Sequence, residues 1–373
     1  MTSSAPIRRV TLVSPYALSV FGGVQEQVLS MSRELTNRDL SVQVIAPDAS
    51  DTTTYDTPAR VERFGNVIKV SANGSRAPLT LSSRASVQAC HAIRLFEPDV
   101  VHFHEPFAPR VGWRNLRDHR APAVATFHRS GQGPAVSLAA PLLRRWSHHL
   151  DESAAVSIHA AHTAMESCGL RTKVLFNGFE TERFVEFPRE SQTLITVLVV
   201  GRLETRKGVA TAIVAVRAHN ARDAPPWQLV ILGDGPQRAH LESLTSGDPL
   251  VRFLGAVSDG EKRRWYRRAD VLVAPATHGE SFGLILLEAM ASEISVVASD
   301  IPGYHDAAGD HAILFSPSDS EDLERAITRA LASRHPDTHA RARRYAEQWS
   351  MHRLMGEYLE LYERARQHFS SLK

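Results

Sequence analysis

Short apolar, β-branched runs alternate with helix-patterned stretches along nearly the whole chain, and this alternation constrains the fold most. In the first half the runs are Arg9–Val13, Ser41–Ala46, Asn66–Val70, Val100–His104, Ala123–His128, Ala154–Ile158 and Lys173–Phe176. Val24, Val28, Met31 and Leu35 recur at steps of three and four, one apolar face of a helix. The second half repeats the style with Leu194–Val200, Gln228–Leu232, Val251–Phe253, Val271–Ala274, Ser295–Ala298 and Ala312–Phe315. Helical patterns fall near Lys207–Ala218, Gln237–Leu244, Gly260–Arg268, Phe282–Ser292 and Ser320–Ser333. Strands buried on both faces read as continuous apolar runs, and strand–helix alternation implies parallel crossovers. We therefore expect an α/β chain of two doubly wound, Rossmann-like domains. A length of 373 residues exceeds one ordinary core and suits two. The boundary is expected after Asn177–Gly178, where the polar stretch Glu180–Gln192 precedes the next strand.

Composition narrows the function. Hydrophobic residues make up 43% and charged residues 23%, which marks a folded rather than a disordered chain. The formal charge of +2 gives no drive toward polyanions, so no nucleic-acid partner is expected. Two cysteines, Cys90 and Cys168, fit a reducing compartment and no disulfide framework. No apolar run approaches the roughly 20 residues that span a bilayer. The run Val10–Val13 is too short for a signal-peptide core, and a cytoplasmic location is expected. The carboxyl end, Arg341–Phe369, reads as helical, with Trp349, Met351, Leu354, Met355, Tyr358, Leu361 and Tyr362 as apolar stripes for packing.

In open parallel sheets ligands bind beyond the carboxyl ends of the strands, and the chain's motifs sit at such ends. The first strand leads through Ser14-Pro15-Tyr16 into Phe21-Gly22-Gly23-Val24 at a helix start. There Gly23 lets a ligand approach and free N–H groups face an anion; a plain tight turn is the alternative. Gly201-Arg202-Leu203-Glu204-Thr205-Arg206-Lys207-Gly208 follows another strand, and Arg202 and Lys207 are placed to meet one anion. A leaving diphosphate needs such cations, because charge builds on it as the sugar bond breaks. The chain has no Asp-x-Asp triplet, so cations and helix dipoles replace a metal bridge and no cofactor is expected. In His278-Gly279-Glu280-Ser281-Phe282-Gly283-Leu284, Ser281 is expected to cap a helix starting near Phe282, with Glu280 outside it and Glu288 about two turns down. The Gly283 backbone can approach a phosphate, and Glu288 can accept from a ribose diol. His128 ends a strand, and His102 and His104 share one strand face, a pattern open to a metal reading or to a structural one.

Together these motifs resemble the retaining glycosyltransferases of family 4, of two-domain GT-B fold, over nearly the whole chain. The most specific element is Glu-x7-Glu, here Glu280 and Glu288, supported by Gly201-Arg202, Lys207-Gly208 and Gly233-Asp234-Gly235. Further matching strings are Asn73-Gly74-Ser75, His104-Glu105-Pro106, Ala125-Thr126-Phe127-His128 and Phe253-Leu254-Gly255. The resemblance implies two domains facing each other across a cleft, with the final helix crossing back. It gives 1–177 plus 355–373 to the acceptor and 178–354 to the nucleotide-sugar donor. It implies that Gly23, Arg202, Lys207 and Gly233 lie at the donor diphosphate, Glu280 at the sugar hydroxyls, and Phe282, Gly283, Leu284 and Glu288 around the nucleotide. Asp259 and Lys262, three residues apart, match a guanine site and imply GDP-mannose. His128 would meet the transferring sugar. Tyr16, Gln25, Asn73 and Ser75 match an inositol-phosphate lipid pocket, and Arg129 stands where the family has a small hydroxyl residue. Catalysis would rest on His128, Glu280, Arg202 and Lys207, without metal.

The family's membrane-docking helix corresponds to Ser83–Arg94, where only Arg84 and Arg94 are basic, so weak contact with the inner membrane face is expected. A UDP-sugar donor, or another lipid, polyol or glycoside acceptor, stays open at this point. So does a non-catalytic module that binds sugar nucleotides. A phosphorylase on the same architecture would need a pyridoxal-phosphate lysine.

Overall fold

The computed structural model describes residues 6–19, 22–47, 55–72, 75–108, 116, 120–129, 134–190, 192–222, 224–280 and 282–371. The chain divides into two units, 1–178 with 351–373, and 179–350. The return to the first unit begins at Met351 rather than at the expected 355.

The first unit runs β1 (Arg9–Val13), α1 (Gly23–Asn37), β2 (Ser41–Pro47), β3 (Arg60–Phe64), β4 (Ile68–Ala72), β5 (Ser75–Leu79), α2 (Ser83–Phe96), β6 (Val100–His104), β7 (Ala123–Phe127), α3 (Pro134–Ser147), β8 (Glu152–Ala155), α4 (Ile158–Cys168) and β9 (Lys173–Val174). Its seven-stranded sheet has the order β3-β2-β1-β6-β7-β8-β9. All its pairs are parallel, with Val10 opposite both Val42 and Val100. The order reverses between β1 and β6, which sets the crevice over their carboxyl ends. Val28, Met31 and Leu35 are fully buried on α1, as their spacing requires.

Three expectations change here. The run Asn66–Val70 is not a sheet strand: β4 begins at Ile68 and pairs antiparallel with β5 in a separate hairpin. The run Ala154–Ile158 ends early, because the Ser157 side chain accepts the Ala160 N–H at 3.0 Å and starts α4. The polar β3 is an edge strand that sequence reasoning passes over, since charged residues alternate along it.

The last helix, Met351–Ser371, completes the first unit. Met351, Leu354, Met355, Tyr358, Leu361, Tyr362 and Ala365 form its buried stripe, in one core with Val10, Leu12, Met31, Leu35 and Val44.

The second unit runs β10 (Ile195–Val200), α5 (Val209–Asn220), β11 (Trp227–Leu232), α6 (Arg238–Thr245), β12 (Val251–Gly255), α7 (Asp259–Arg268), β13 (Val271–Ala274), α8 (Leu284–Ala291), β14 (Ser295–Ser299), α9 (Pro302–Ala308), β15 (Ile313–Phe315), α10 (Ser320–Ala332) and α11 (Pro336–Glu347). We number Met351–Ser371 as α12. The six strands lie in the order β12-β11-β10-β13-β14-β15, all parallel. The order reverses between β10 and β13, so the segments after these two strands meet. Val197, Val199, Leu229, Ile231, Val271, Val273 and Val297 fill the core beneath α5 and α10.

Candidate functional site

The reversal in the second sheet brings together two segments distant in sequence, Gly201–Gly208 after β10 and Pro275–Gly283 after β13. Lys207 Nζ lies 2.7 Å from Glu280 Oε1, and Arg206 Nη1 lies 2.7 Å from the same oxygen. Arg206 Nε also bonds Glu204 Oε2 at 3.1 Å, and Arg202 Nη2 meets Glu204 Oε1 at 2.9 Å. Arg202, Glu204, Arg206, Lys207 and Glu280 thus form one alternating chain of charges. Three cations balance two carboxylates, which leaves a net positive end to meet an anion. Arg202 is about half exposed, whereas Glu280 is nearly buried. A small recess beside them is lined by Gly201, Arg202, Lys207, Pro275, Ile285 and Tyr304.

Glu204 and Arg206 are absent from the residues expected at this site. Their signal was the alternation of charge within Arg202–Lys207, visible but without a stated partner. Two glycines make the packing possible. At Gly233 (φ +136°) a Cβ would fall 1.8 Å from the Gly201 carbonyl oxygen. At Gly283 (φ +78°) it would fall 2.5 Å from the Tyr304 ring. Gly283 also stands before the first turn of α8, so the helix starts at Leu284, later than expected near Phe282, with no side-chain cap. Ser281 lies outside the described residues. The Phe282 side chain packs edge-on against Trp349, ring centres 4.9 Å apart, so it belongs to the core and leaves only its backbone for a ligand.

Glu288 is buried on α8, and its partners come from α7. Lys262 Nζ lies 3.0 Å from Oε1, and Tyr266 donates its hydroxyl to Oε2 at 2.8 Å. A carboxylate inside an apolar run demands such partners. Burial and Glu288 together push the Tyr266 hydroxyl well above its ordinary pKa, so it stays a donor. Lys262 also meets Asp259 at 3.4 Å, and Asp259 meets Arg263 at 3.1 Å and Arg183 at 3.4 Å. Burial works to raise the Asp259 carboxyl, but Lys262, Arg183 and Arg263 outweigh it and hold the group below the usual aspartate value. Asp259, Lys262 and Glu288 are therefore one network.

In the first unit, β6 and β7 set three histidine rings in a row. His102 and His104 stack at 4.5 Å between centres, and His104 and His128 at 5.2 Å. His102 Nδ1 bonds the Tyr362 hydroxyl and Nε2 bonds Thr126 Oγ1, both at 2.8 Å, and Tyr358 reaches Thr126 at 3.0 Å. Both nitrogens of His102 are thus engaged, which removes the pair from a metal reading. His104 Nδ1 lies 2.9 Å from His128 Nε2. Burial lowers His102 and His128 to a pKa of about 3 and His104 well below its ordinary value. All three rings are neutral near pH 7.

Glu105, at φ +46°, turns back so that Oε1 accepts the backbone N–H of His128 at 2.5 Å and of Arg129 at 2.7 Å. Tyr16 lies in the field of both Glu105 and Arg129, and burial first, then Glu105, pushes its hydroxyl pKa up. Gln25, on the first turn of α1, is buried and donates to the Ala17 carbonyl at 3.4 Å. The Ala17 N–H is fixed by the Pro78 carbonyl at 3.0 Å, which ties the hairpin β4–β5 to this loop. Among the described residues, apart from its chain neighbours and its own helix backbone, no heavy atom lies within 4 Å of where a Cβ at Gly23 would stand. Asn73 lies outside the described residues, and Ser75 is placed through its backbone pairing with Ala72 alone.

Residues 21–183 match the family described as Glycosyltransferase Family 4, and residues 164–349 match Glycosyl transferases group 1. The phosphatidyl-myo-inositol mannosyltransferase of Mycolicibacterium smegmatis is 33% identical over 86% of this chain and 83% of its own length. A GDP-mannose-dependent alpha-mannosyltransferase of the same organism is 30% identical over 80% of this chain and 81% of its own. Among solved structures, a sucrose-phosphate synthase of Thermosynechococcus elongatus gives a TM-score of 0.74 at 19% identity, over 98% of this chain and 100% of that one. The Anabaena protein HepE with UDP and glucose gives 0.72 at 18%, over 95% and 99%. With two parallel sheets, Glu280 and Glu288 at the family's spacing, and relatives of this identity along most of its length, the chain belongs to glycosyltransferase family 4 and is a glycosyltransferase of GT-B fold.

Proposed function

We propose that the chain transfers mannose from GDP-mannose to a hydroxyl of an inositol-phosphate lipid, with retention at the anomeric carbon and without a metal cofactor. The observation that carries this reading is the shared grip of Lys207 and Arg206 on Glu280 at the strand-order reversal. It presents fixed cations beside an acid where a sugar diphosphate is expected. In this reading Asp259 and Lys262 supply an acceptor and a donor for the guanine edge, and Glu288, held by Lys262 and Tyr266, is the acid assigned to the ribose. Relatives named for GDP-mannose and for phosphatidyl-myo-inositol support donor and acceptor alike.

The anomeric C–O bond to the leaving diphosphate breaks while the acceptor oxygen approaches from the same face. The leaving phosphate oxygen takes the acceptor's proton. Arg202 and Lys207 hold the charge that develops on it, and Glu280 holds the sugar's far hydroxyls. The family resemblance assigns Gly23 to the diphosphate and His128 to the sugar. Tyr16, Gln25, Asn73, Ser75 and Arg129 form the acceptor side, where Arg129 supplies the cation for the lipid phosphate. The lipid is met at the inner membrane face by a peripheral contact. Among the described residues no helix is long and apolar enough to cross a membrane.

The test is a matrix of GDP- and UDP-sugars against phosphatidylinositol, inositol phosphate and water, read by mass spectrometry. Mannosylated phosphatidylinositol from GDP-mannose alone is expected; transfer from a UDP-sugar, or to none of the inositol acceptors, overturns the assignment. Glu280→Ala and Lys207→Ala are each expected to lower kcat by about a hundredfold or more with the thermal transition retained. Near-normal turnover in both variants sinks the site.

A further inference from the structure

We propose that His104 is a positioning residue that fixes His128 in the Nδ1–H tautomer, so that His128 meets its ligand as a hydrogen-bond donor. This rests on the reading of His128 as the residue that meets the transferring sugar.

The inference starts from one shared proton. His104 Nδ1 and His128 Nε2 stand 2.9 Å apart, a hydrogen bond that needs one N–H and one lone pair. Both rings are neutral, and a neutral imidazole carries one N–H. Two arrangements are then possible. If His128 donates from Nε2, His104 must carry its own proton on Nε2. If His104 donates from Nδ1, its Nε2 is a bare lone pair and the proton of His128 sits on Nδ1.

Burial decides between them. His104 is 1% exposed, and its Nε2 has no hydrogen-bond partner among the described residues. The first arrangement buries an orphaned N–H there; the second buries only an unused acceptor. Orphaned buried N–H groups are the rarer case in folded proteins. The second arrangement therefore holds, and it is the reverse of the Nε2–H form that free imidazole side chains favour in water.

The surroundings keep the pair in register. His102 stacks on His104 with ring planes 24° apart, and Tyr362 and Thr126 clamp His102 in turn. The Glu105 carboxylate holds the His128 backbone N–H. A ring with its proton on Nδ1 and its Nε2 already occupied cannot accept a proton without breaking the bond to His104. It can donate to a sugar or phosphate oxygen, which agrees with the leaving phosphate acting as the base.

The experiment is ¹⁵N–¹³C NMR of histidine-labelled full-length protein without substrate, where the two tautomers give distinct nitrogen shifts. The wild type is expected to show His128 protonated at Nδ1; protonation at Nε2 overturns the proposal. His104→Asn keeps a donor near the Nδ1 position, and His104→Phe keeps a stacked ring without one. His104→Phe is expected to return His128 to Nε2–H and to lower kcat about tenfold, while His104→Asn keeps the Nδ1 proton and most of the turnover. Equal tautomers and equal rates in the two variants count against it. Should His104→Phe fail to fold, the wild-type and His104→Asn spectra decide alone. The spectra need no sugar, so absence of mannosyl transfer overturns the functional reading without touching this one.

Discussion

Among the described residues, none beyond its chain neighbours and its own helix backbone lies within 4 Å of where a Cβ at Gly23 would stand, so a methyl group there meets no packed side chain of theirs. The residue opens α1, where alanine is the better helix former by up to about 1 kcal/mol. Gly23→Ala should therefore leave thermal unfolding unchanged or slightly raised. If a diphosphate or acceptor packs against this backbone, as proposed, the same variant should lose transfer at least about tenfold, with KM for the donor rising. Normal kinetics in a stable Gly23→Ala would remove Gly23 from the site. Gly23 could be singled out because a glycine at a strand-to-helix turn leaves backbone N–H groups open to an anion, with a plain tight turn as the other reading. Arg206 could not, because its neighbour Lys207 carried the expected role and nothing in sequence shows that both reach one oxygen of Glu280. For Phe282 the resemblance implied a place around the nucleotide but could not show that the ring packs on Trp349, which leaves the backbone alone for that role.

Among the elements, α7 and α8 are coupled by a buried ion pair, Lys262 with Glu288, whose side chains are 9% and 7% exposed. Removing one partner leaves an uncompensated buried charge, which costs on the order of 3–5 kcal/mol, whereas removing both can come near neutral. Lys262→Met and Glu288→Gln should each destabilise the second unit strongly, and the double variant should lose less than the sum. Urea unfolding of the four proteins measures this; additive losses would show that the pair is not coupled. The three-residue step from Asp259 to Lys262 could be read along one helix, but the partner of Glu288 could not, because packing between two helices chooses it. Strands follow the same division. Arg9–Val13, Val100–His104 and Val271–Ala274 stand where their apolar runs put them, since central parallel strands are buried on both faces. The edge strand Arg60–Phe64 lacks that signal, as it is exposed or only half-buried along its length, and the hairpin strand Ser75–Leu79 carries Arg76 and Pro78 in place of an apolar run.

For the molecule as a whole, the unequal division of the chain has a consequence for acid stability. The second unit is one continuous segment, 179–350, whereas the first needs the distant α12 to cover its sheet and to bond His102 and Thr126. Residues 179–350 should fold alone, and 1–178 should not, which circular dichroism and proton NMR of the two fragments would test. The first unit also holds the buried histidines. His102 and His128 titrate near 3 when folded and near 6.5 when unfolded, and His104 is shifted the same way. Below pH 6.5 the unfolded chain therefore takes up protons that the native rings refuse, and stability falls as pH drops toward 3, by about 1.4 kcal/mol per pH unit for each ring. Glu105 works against this, because burial raises its carboxyl and lets the native state bind a proton early. One carboxyl does not offset three rings. In the second unit Asp259, Glu293 and Asp322 are all shifted down, so their contribution is intact above pH 4.5 and is lost only as pH falls further. In the second unit burial lowers the half-buried His311 and His339 in the same direction, so between pH 7 and 5 both units should weaken, the first, with its three fully buried rings, more steeply. Thermal melts of the whole chain should show the lower transition falling by several degrees over that range, while the midpoint of the isolated 179–350 segment falls less. Parallel shifts in both would place the acid-sensitive groups elsewhere than in the His102–His104–His128 stack.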